Sequence, residues 1–418
     1  MNHIVRSLCV LFLISAVAFA QEPNWNQFRG PNSDNHAFST GIAKSWPEGG
    51  PKLLWKINTV GVGYSHLCFY GDTMYTLGDH GEQCYLIAMN RADGKELWKT
   101  PFAKSGFSGG NQGIGPFATP ACDGETVYVL GQHGDFAAFN AKDGKILWNK
   151  NIIEAFGAQG FGRGGGRAWG YSMSPVLDGD KVLLAVGGDA GTLAAFDKTG
   201  KVLWRSAEIK EPASYTSVVP ATIGGVKQYV LLTGATLAGI SPTDGKVLWG
   251  AKFPGRTAVC ADPAISGDAI MASCSYNVGA FFYRITKEDN DFKAVDFDGE
   301  RTELQCHHGG IVTVGDHFYL MTNNQQVVCI EAKTGKTVWE NRGVGKGSLT
   351  YVDGTLILRS ERGDGTIAMI EATPTGYKEL GRFNQPDRSD KSSWSYPVIV
   401  DGKMYIRDQG LLLCYDLK

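Results

Sequence analysis

The stretch FAAFNAKDGKILW, Phe136 to Trp148, constrains this chain more than any other, because it recurs. It reads as two alternating apolar strands around a tight turn at Asp143-Gly144, and it ends on a tryptophan. An Asp-Gly pair between alternating runs is a strong short-range hairpin signal, since glycine accepts the positive φ that such a turn needs. Related copies end at Trp98, Trp204, Trp249 and Trp339. The spacings are 50, 56, 45 and 90 residues, the last being two periods with a degenerate copy, Ala280 to Phe297, inside it. A weaker copy after Trp339 carries Gly381 where the tryptophan would stand.

Each copy follows a second hairpin, as in PACDGETVYVL (Pro120 to Leu130) and PVIVDGKMYI (Pro397 to Ile406). Four short strands per repeat of roughly 40–50 residues is the pattern of a propeller blade, and no apolar spacing of i, i+3, i+4 supports a helical solenoid. The C-terminus ends after three strands, while PKLLWKI (Pro51 to Ile57) is a lone fourth-strand segment with Trp55. Together they complete one blade. The expectation is an all-β, eight-bladed β-propeller whose ring is closed by an N-terminal strand joining the C-terminal blade, which also removes the terminal sheet edges. Trp55, Trp98, Trp148, Trp204, Trp249 and Trp339 are then structural, packing blade against blade. Truncating such a core residue costs about 3–5 kcal/mol.

Residues 1–20 read as a signal peptide: Arg6, a short apolar run from Leu8 to Phe19, and Ala18-Phe19-Ala20 as a cleavage site. The run is short for a membrane span, so the mature chain is expected to be exported, periplasmic or extracellular, and monomeric. Residues 21–52 read as an irregular arm pinned by Trp25, Phe28 and Trp46, and residues 53–418 as the propeller. Formal net charge is -2, with no basic arm, which argues against a nucleic-acid partner. Eight cysteines remain beyond the signal, and export permits disulfides; Cys260 and Cys306, each just before the first strand of successive repeats, are the best pair.

The repeat, with its D/T-G-K-x-L/V-W ending and a count of eight, resembles the pyrroloquinoline-quinone-type propeller repeat, whose superfamily holds quinoprotein alcohol dehydrogenases and BamB-type outer-membrane assembly factors. The resemblance runs from about Leu53 to Lys418. For the dehydrogenases it implies pyrroloquinoline quinone, a disulfide between adjacent cysteines, a tryptophan platform, a calcium ion held by Glu, Asn and Asp, and a catalytic Asp. This sequence has no adjacent cysteines and no C-x-x-C-H haem site. The acidic segment Asp289 to Glu300 lacks a full calcium loop and reads as a solvated hairpin. The assembly factors are similar in size and export, but carry a lipidated cysteine after the signal, which this chain lacks.

Ligands and partners meet propellers at the channel mouth, on the loops ahead of each first strand. There an aromatic or histidine recurs beside a hydroxyl: Tyr64, Ser65 and His66; Phe117 with Thr119; Tyr171 and Ser172; Tyr215 and Thr216; His307 and His308; Trp394 and Ser395. Such a ring suits a planar or sugar-like ligand, or a peptide, and equally suits wedging between blades. Two glycine-rich loops, Ser105 to Gly115 and Ala155 to Gly170, flank this face; the second carries Trp169 and two cations fit for an anionic group, Arg163 and Arg167. His307-His308 is a partial metal pair for which spacing names no further ligand, so no metal is assigned. No catalytic residue is assigned either. The leading expectation is a binding or scaffold propeller for a protein, peptide or envelope partner, with no cofactor. The alternative is a quinone- and calcium-dependent oxidoreductase using Arg163, Arg167 or Arg256; a third is carbohydrate binding.

Overall fold

The computed structural model describes residues 24–106, 115–160, 169–289 and 291–418. The signal segment, Arg163 and Arg167 lie outside the described residues. Eight antiparallel sheets follow one another along the chain, at residues 68–104, 121–151, 176–205, 219–252, 264–296, 311–341, 347–384 and 398–416. They are the blades of the expected propeller, numbered here one to eight. In blade eight the fourth strand is Lys52–Asn58, which pairs antiparallel with Leu411–Asp416 and closes the ring.

Each blade's fourth strand is outermost and half exposed, as in Ile146–Asn151, while the second and third strands are buried almost throughout, as in Thr126–Leu130 and Asp135–Asn140. The turn is longer than the two residues expected. In blade two, Asn140 N–H donates to Lys145 O and Gly144 N–H to Asn140 O (2.9 Å each), and Gly144 takes φ +71°. A register shift follows at once, between Ile146 and Trp148. The same irregularity occurs in every blade except blade five. A bulge re-aims the side chain beside it, and here it swings the tryptophan toward the next blade.

Residues 24–46 form a strap under the ring. The first strands line the channel and leave one edge without a strand partner, so their amides need acceptors. The strap supplies these in chain order. Phe69 N–H donates to Trp25 O (2.7 Å), Cys122 N–H to Asn26 O (2.8 Å) and Leu177 N–H to Gln27 Oε1 (2.7 Å). Arg29 then pairs with Asp262 (3.5 Å) and donates to Ile311 O (2.5 Å). His36–Ala37 adds a parallel strand to blade seven, and Ser39 Oγ accepts from Gly402 N–H (2.9 Å) in blade eight. Farther on, Trp46 takes the place left by the missing repeat tryptophan: a Cβ on Gly381 would lie 2.7 Å from Trp46 Cβ.

The disulfide expectation is corrected. Cys260 and Cys306 are separate thiols, as are the other six described cysteines. Cys306 Sγ is turned onto its own loop, donating to Gly310 O at 3.4 Å, and burial pushes its pKa up to about 12.

Candidate functional site

Because the chain enters every first strand from the same end of the ring, the segments just before those strands converge on the channel. Of the residues expected there, Tyr64, His66, Phe117, Trp169, Ser172, Tyr215, His307, His308 and Trp394 line one cavity of ≈ 400 Å³. Phe28, Ser174, Ala258, Cys260, Tyr276 and Tyr396 complete it. Phe28 comes from the strap, whose next residue, Arg29, lines a separate cavity of ≈ 610 Å³ together with Pro31, Ser33 and Asp34. The strap therefore floors the mouth cavity.

The aromatic rings fall into packed groups. Tyr64 stacks on Phe117 (5.2 Å between centroids) and leans on Trp394 (4.6 Å). His66 stacks on Phe28 (4.9 Å) and touches Tyr396 (4.6 Å). Trp169 meets Tyr215 edge-on (5.5 Å), and Tyr276 meets His307 likewise (5.5 Å). Aromatic walls of this kind supply large apolar area at low entropy cost.

Six of the expected residues do not line the cavity, Thr119 among them. Ser65 Oγ donates to His66 O and accepts from Leu77 N–H inside its loop. Thr216 Oγ1 donates to Leu232 O (2.8 Å) and Ser395 Oγ to Tyr64 O (2.8 Å). Tyr171 is buried within the packing of blades two and three. Arg256 is exposed and lies outside the lining. The hydroxyl theme itself exists, in a different register and with a different task. His66 N–H donates to Thr119 Oγ1 (3.3 Å), Thr119 N–H to Ser174 Oγ (2.9 Å), Ser174 N–H to Ser217 Oγ (2.9 Å) and Ser217 N–H to Asp262 Oδ1 (2.8 Å). This ladder ties blades one to five in order. The available signal was a polar residue directly before a proline, as in Thr119-Pro120, Ser174-Pro175 and Asp262-Pro263.

Two arginines, which the sequence reading passed over, hold the aromatic loops. Arg407 is fully buried and donates to Ser65 O, Thr76 Oγ1 and Leu77 O (2.9, 2.6 and 2.6 Å). Arg359, equally buried, donates to Ser395 O and Arg407 O (both 2.8 Å). Burial draws both guanidinium pKa values down to about 10, so both remain cations at neutral pH.

The ionisable groups facing the cavity are held neutral. Burial lowers His66 to about 3, and its Nε2 and Nδ1 already face Trp394 O and Thr119 Oγ1 (3.2 Å each). Burial likewise lowers His308 to about 3 and, joined by the nearby Lys346 charge, His307 to about 4. Burial raises the Cys260 thiol and the Tyr64 and Tyr215 phenols. Just outside the lining, Glu361 is ionised. Burial opposes its charge, but His308, Lys346 and the Trp394 indole bring its pKa down to about 2.

Pyrroloquinoline quinone is a tricarboxylate, and among the described residues no lysine or arginine lines this cavity. The carboxylate beside its histidines, Glu361, is neighboured by imidazoles, whereas calcium takes six to eight oxygen ligands. The described residues do not fit that pair of cofactors.

The profile of the family described as "Outer membrane protein assembly factor BamB" matches residues 82–291 and 290–379. The chain is similar to the factor of that name from Shewanella oneidensis, 23% identical over 350 residues, covering 77% of this chain and 76% of the relative. It is also similar to that of Burkholderia pseudomallei, 23% identical over 255 residues, covering 59% of each. Among solved structures it resembles BamB from Moraxella catarrhalis (TM-score 0.60, 12% identity, 88% of this chain and 98% of that one). It also resembles a quinohemoprotein alcohol dehydrogenase from Pseudomonas putida (TM-score 0.63, 13% identity, 94% and 80%). At these identities the solved structures share the fold. The family profile spans most of the sequence, and the chain belongs to the family of outer membrane protein assembly factor BamB.

Proposed function

We propose that this protein is an exported, monomeric binding propeller that takes an apolar side chain of a partner polypeptide into its aromatic mouth, in the service of envelope protein assembly. The observation that carries this reading is the cavity. It is the size of a small-ligand site, floored by the strap, walled by aromatic rings and free of lining cations among the described residues. The imidazoles, thiol and phenols that face it are neutral at pH 7, which suits desolvation of an uncharged group. The names of the curated relatives point to outer membrane protein assembly. Among the described residues no helix is long and apolar enough to cross a membrane. Outer-membrane strands alternate apolar and polar residues and carry aromatic girdles, so they offer a matching occupant.

The test is titration of the purified chain with ten-residue peptides of alternating aromatic pattern, read by calorimetry. Replacing both Tyr64 and Trp394 with Ala should weaken binding by about 30-fold, as expected for loss of a hot spot worth ~2 kcal/mol. Equal binding of an aromatic-free peptide, or no response to the double substitution, would refute the reading.

A further inference from the structure

The wall of the mouth cavity nearest blades six and seven carries chemistry that binding of an apolar side chain does not use. His307, His308 and Glu361 each present one ligand atom, and these atoms lie within 4.8 Å of one another. Backbone geometry brings them together. Gly309 lets the His307-His308 loop lie against blade seven, for a Cβ there would stand 1.9 Å from Gly347 O. Gly347 in turn approaches Arg359 so closely that its own Cβ would stand 1.9 Å from Arg359 O. The first hairpin of blade seven therefore opens directly beside the histidines. Its ends are Lys346 and Glu361, joined by the Glu361 N–H to Lys346 O bond (2.8 Å).

Both ring nitrogens of His308 are buried and have no hydrogen-bond partner. A buried polar group without a partner calls for an explanation, and an absent ion is one. Glu361 is 5% exposed, and its Oε1 is oriented by the Trp394 indole N–H (2.9 Å), the kind of outer contact that fixes a ligating carboxylate. A cation already occupies the position: Lys346 Nζ stands 2.9 Å from His307 Nδ1 and 3.1 Å from Glu361 Oε2.

We propose that His307, His308 and Glu361 bind one late first-row divalent metal ion, of which zinc is the type, that displaces the Lys346 ammonium and keeps a coordination position open to the cavity. Two imidazoles and a carboxylate form a donor set that zinc uses in three-ligand sites with a fourth, exchangeable position. Calcium and magnesium, which demand oxygen, are disfavoured. Tetrahedral ligands 2.0–2.1 Å from zinc stand about 3.3 Å apart, so the cluster must close by roughly 1.5 Å. Side-chain rotation supplies that closure while the glycine contacts hold the backbone. Lys346, partly exposed and on a flexible stem, can leave toward solvent. His307 and His308 line the cavity, so the open position faces the same space as the aromatic walls.

The test uses the chelator-treated full chain, titrated with Co²⁺ as a spectroscopic probe and then with Zn²⁺. One equivalent of Co²⁺ should bind with the visible absorption of a low-coordinate site, and Zn²⁺ should displace it. His308→Ala and Glu361→Gln should each weaken binding at least 10-fold; the second keeps an acceptor for the Trp394 indole and guards against misfolding. Lys346→Met should tighten binding about 10-fold, because the competing ammonium is gone, and its melting temperature should rise on adding Zn²⁺. No stoichiometric uptake by the parent chain would overturn the proposal, as would parent-like affinity in both ligand variants. Looser binding in Lys346→Met would overturn the displacement.

Discussion

The tryptophan that ends each repeat acts on the blade after its own. A Cβ added to the turn glycine of one blade would strike the tryptophan of the blade before it: Gly94 meets Trp55 at 2.9 Å, Gly144 meets Trp98 at 2.4 Å and Gly245 meets Trp204 at 2.5 Å. The glycine is thus needed twice, for its positive φ and for the indole lying on it. Gly144→Ala should destabilise the protein by about 2–4 kcal/mol, from the left-handed penalty plus overpacking, and denaturant unfolding will measure it. Trp249 is the exception that clarifies the rule. Blade five has neither the bulge nor the Asp-Gly turn, so Trp249 finds no glycine ahead of it. It folds inward instead over Gly239 of its own blade and donates from Nε1 to Gln228 Oε1 (2.6 Å). Both members of each pair are legible in the repeat, but their contact is not, because they lie one full blade apart in sequence.

The strap is the element that shapes the site. Its motif WNQFRGPNSDN shows no periodicity, and nothing in its composition indicates that it crosses the channel. What fixes it is a set of unmet amides on the first strands, together with one buried ion pair. Arg29 and Asp262 are 3% and 2% exposed, and Asp262 also accepts from Ser217 in the blade-to-blade ladder. Burial raises the Asp262 pKa to about 6, against the pull of Arg29. A carboxyl raised in the folded state holds a proton there that the unfolded chain has released. Its contribution to stability is therefore full below the ordinary carboxylate value and lost as pH rises through about 6. Arg29→Met removes the opposing cation, so its cost should be greater at pH 7.5, where Asp262 is left charged and unpaired, than at pH 5. Removing one partner of a buried pair costs about 3–5 kcal/mol, and melting curves at the two pH values will show the difference. A small pH dependence would place the strap's hold in its main-chain bonds alone.

At the scale of the whole molecule, eight blades share one closure, and it rests on the pairing of Lys52–Asn58 with Leu411–Asp416. Removing residues 411–418 leaves the Lys52–Asn58 strand without its partner and opens the ring at two edges. The truncated chain should melt broadly and aggregate in scattering measurements, while a sharp transition at the parent temperature would show that closure is dispensable. Blade number, the manner of closure and the place of the aromatic loops were legible because each depends on local periodicity, and period-two strands with glycine turns admit few architectures. The site was legible only in part. Tyr64, Phe117 and Trp394 stand where the loop theme put them, whereas Ser65 and Thr216 turn back onto their own blades and Ser395 bonds the loop of the next blade. The sequence by itself determined an eight-bladed ring with an aromatic mouth. Tertiary structure alone decided that Phe28 and the strap floor that mouth, that Arg359 and Arg407 hold its loops, and that Glu361 and Lys346 meet the paired histidines. The reason is physical: repeats encode what each blade does with itself, while a ring brings together residues hundreds of positions apart whose types carry no mark of one another.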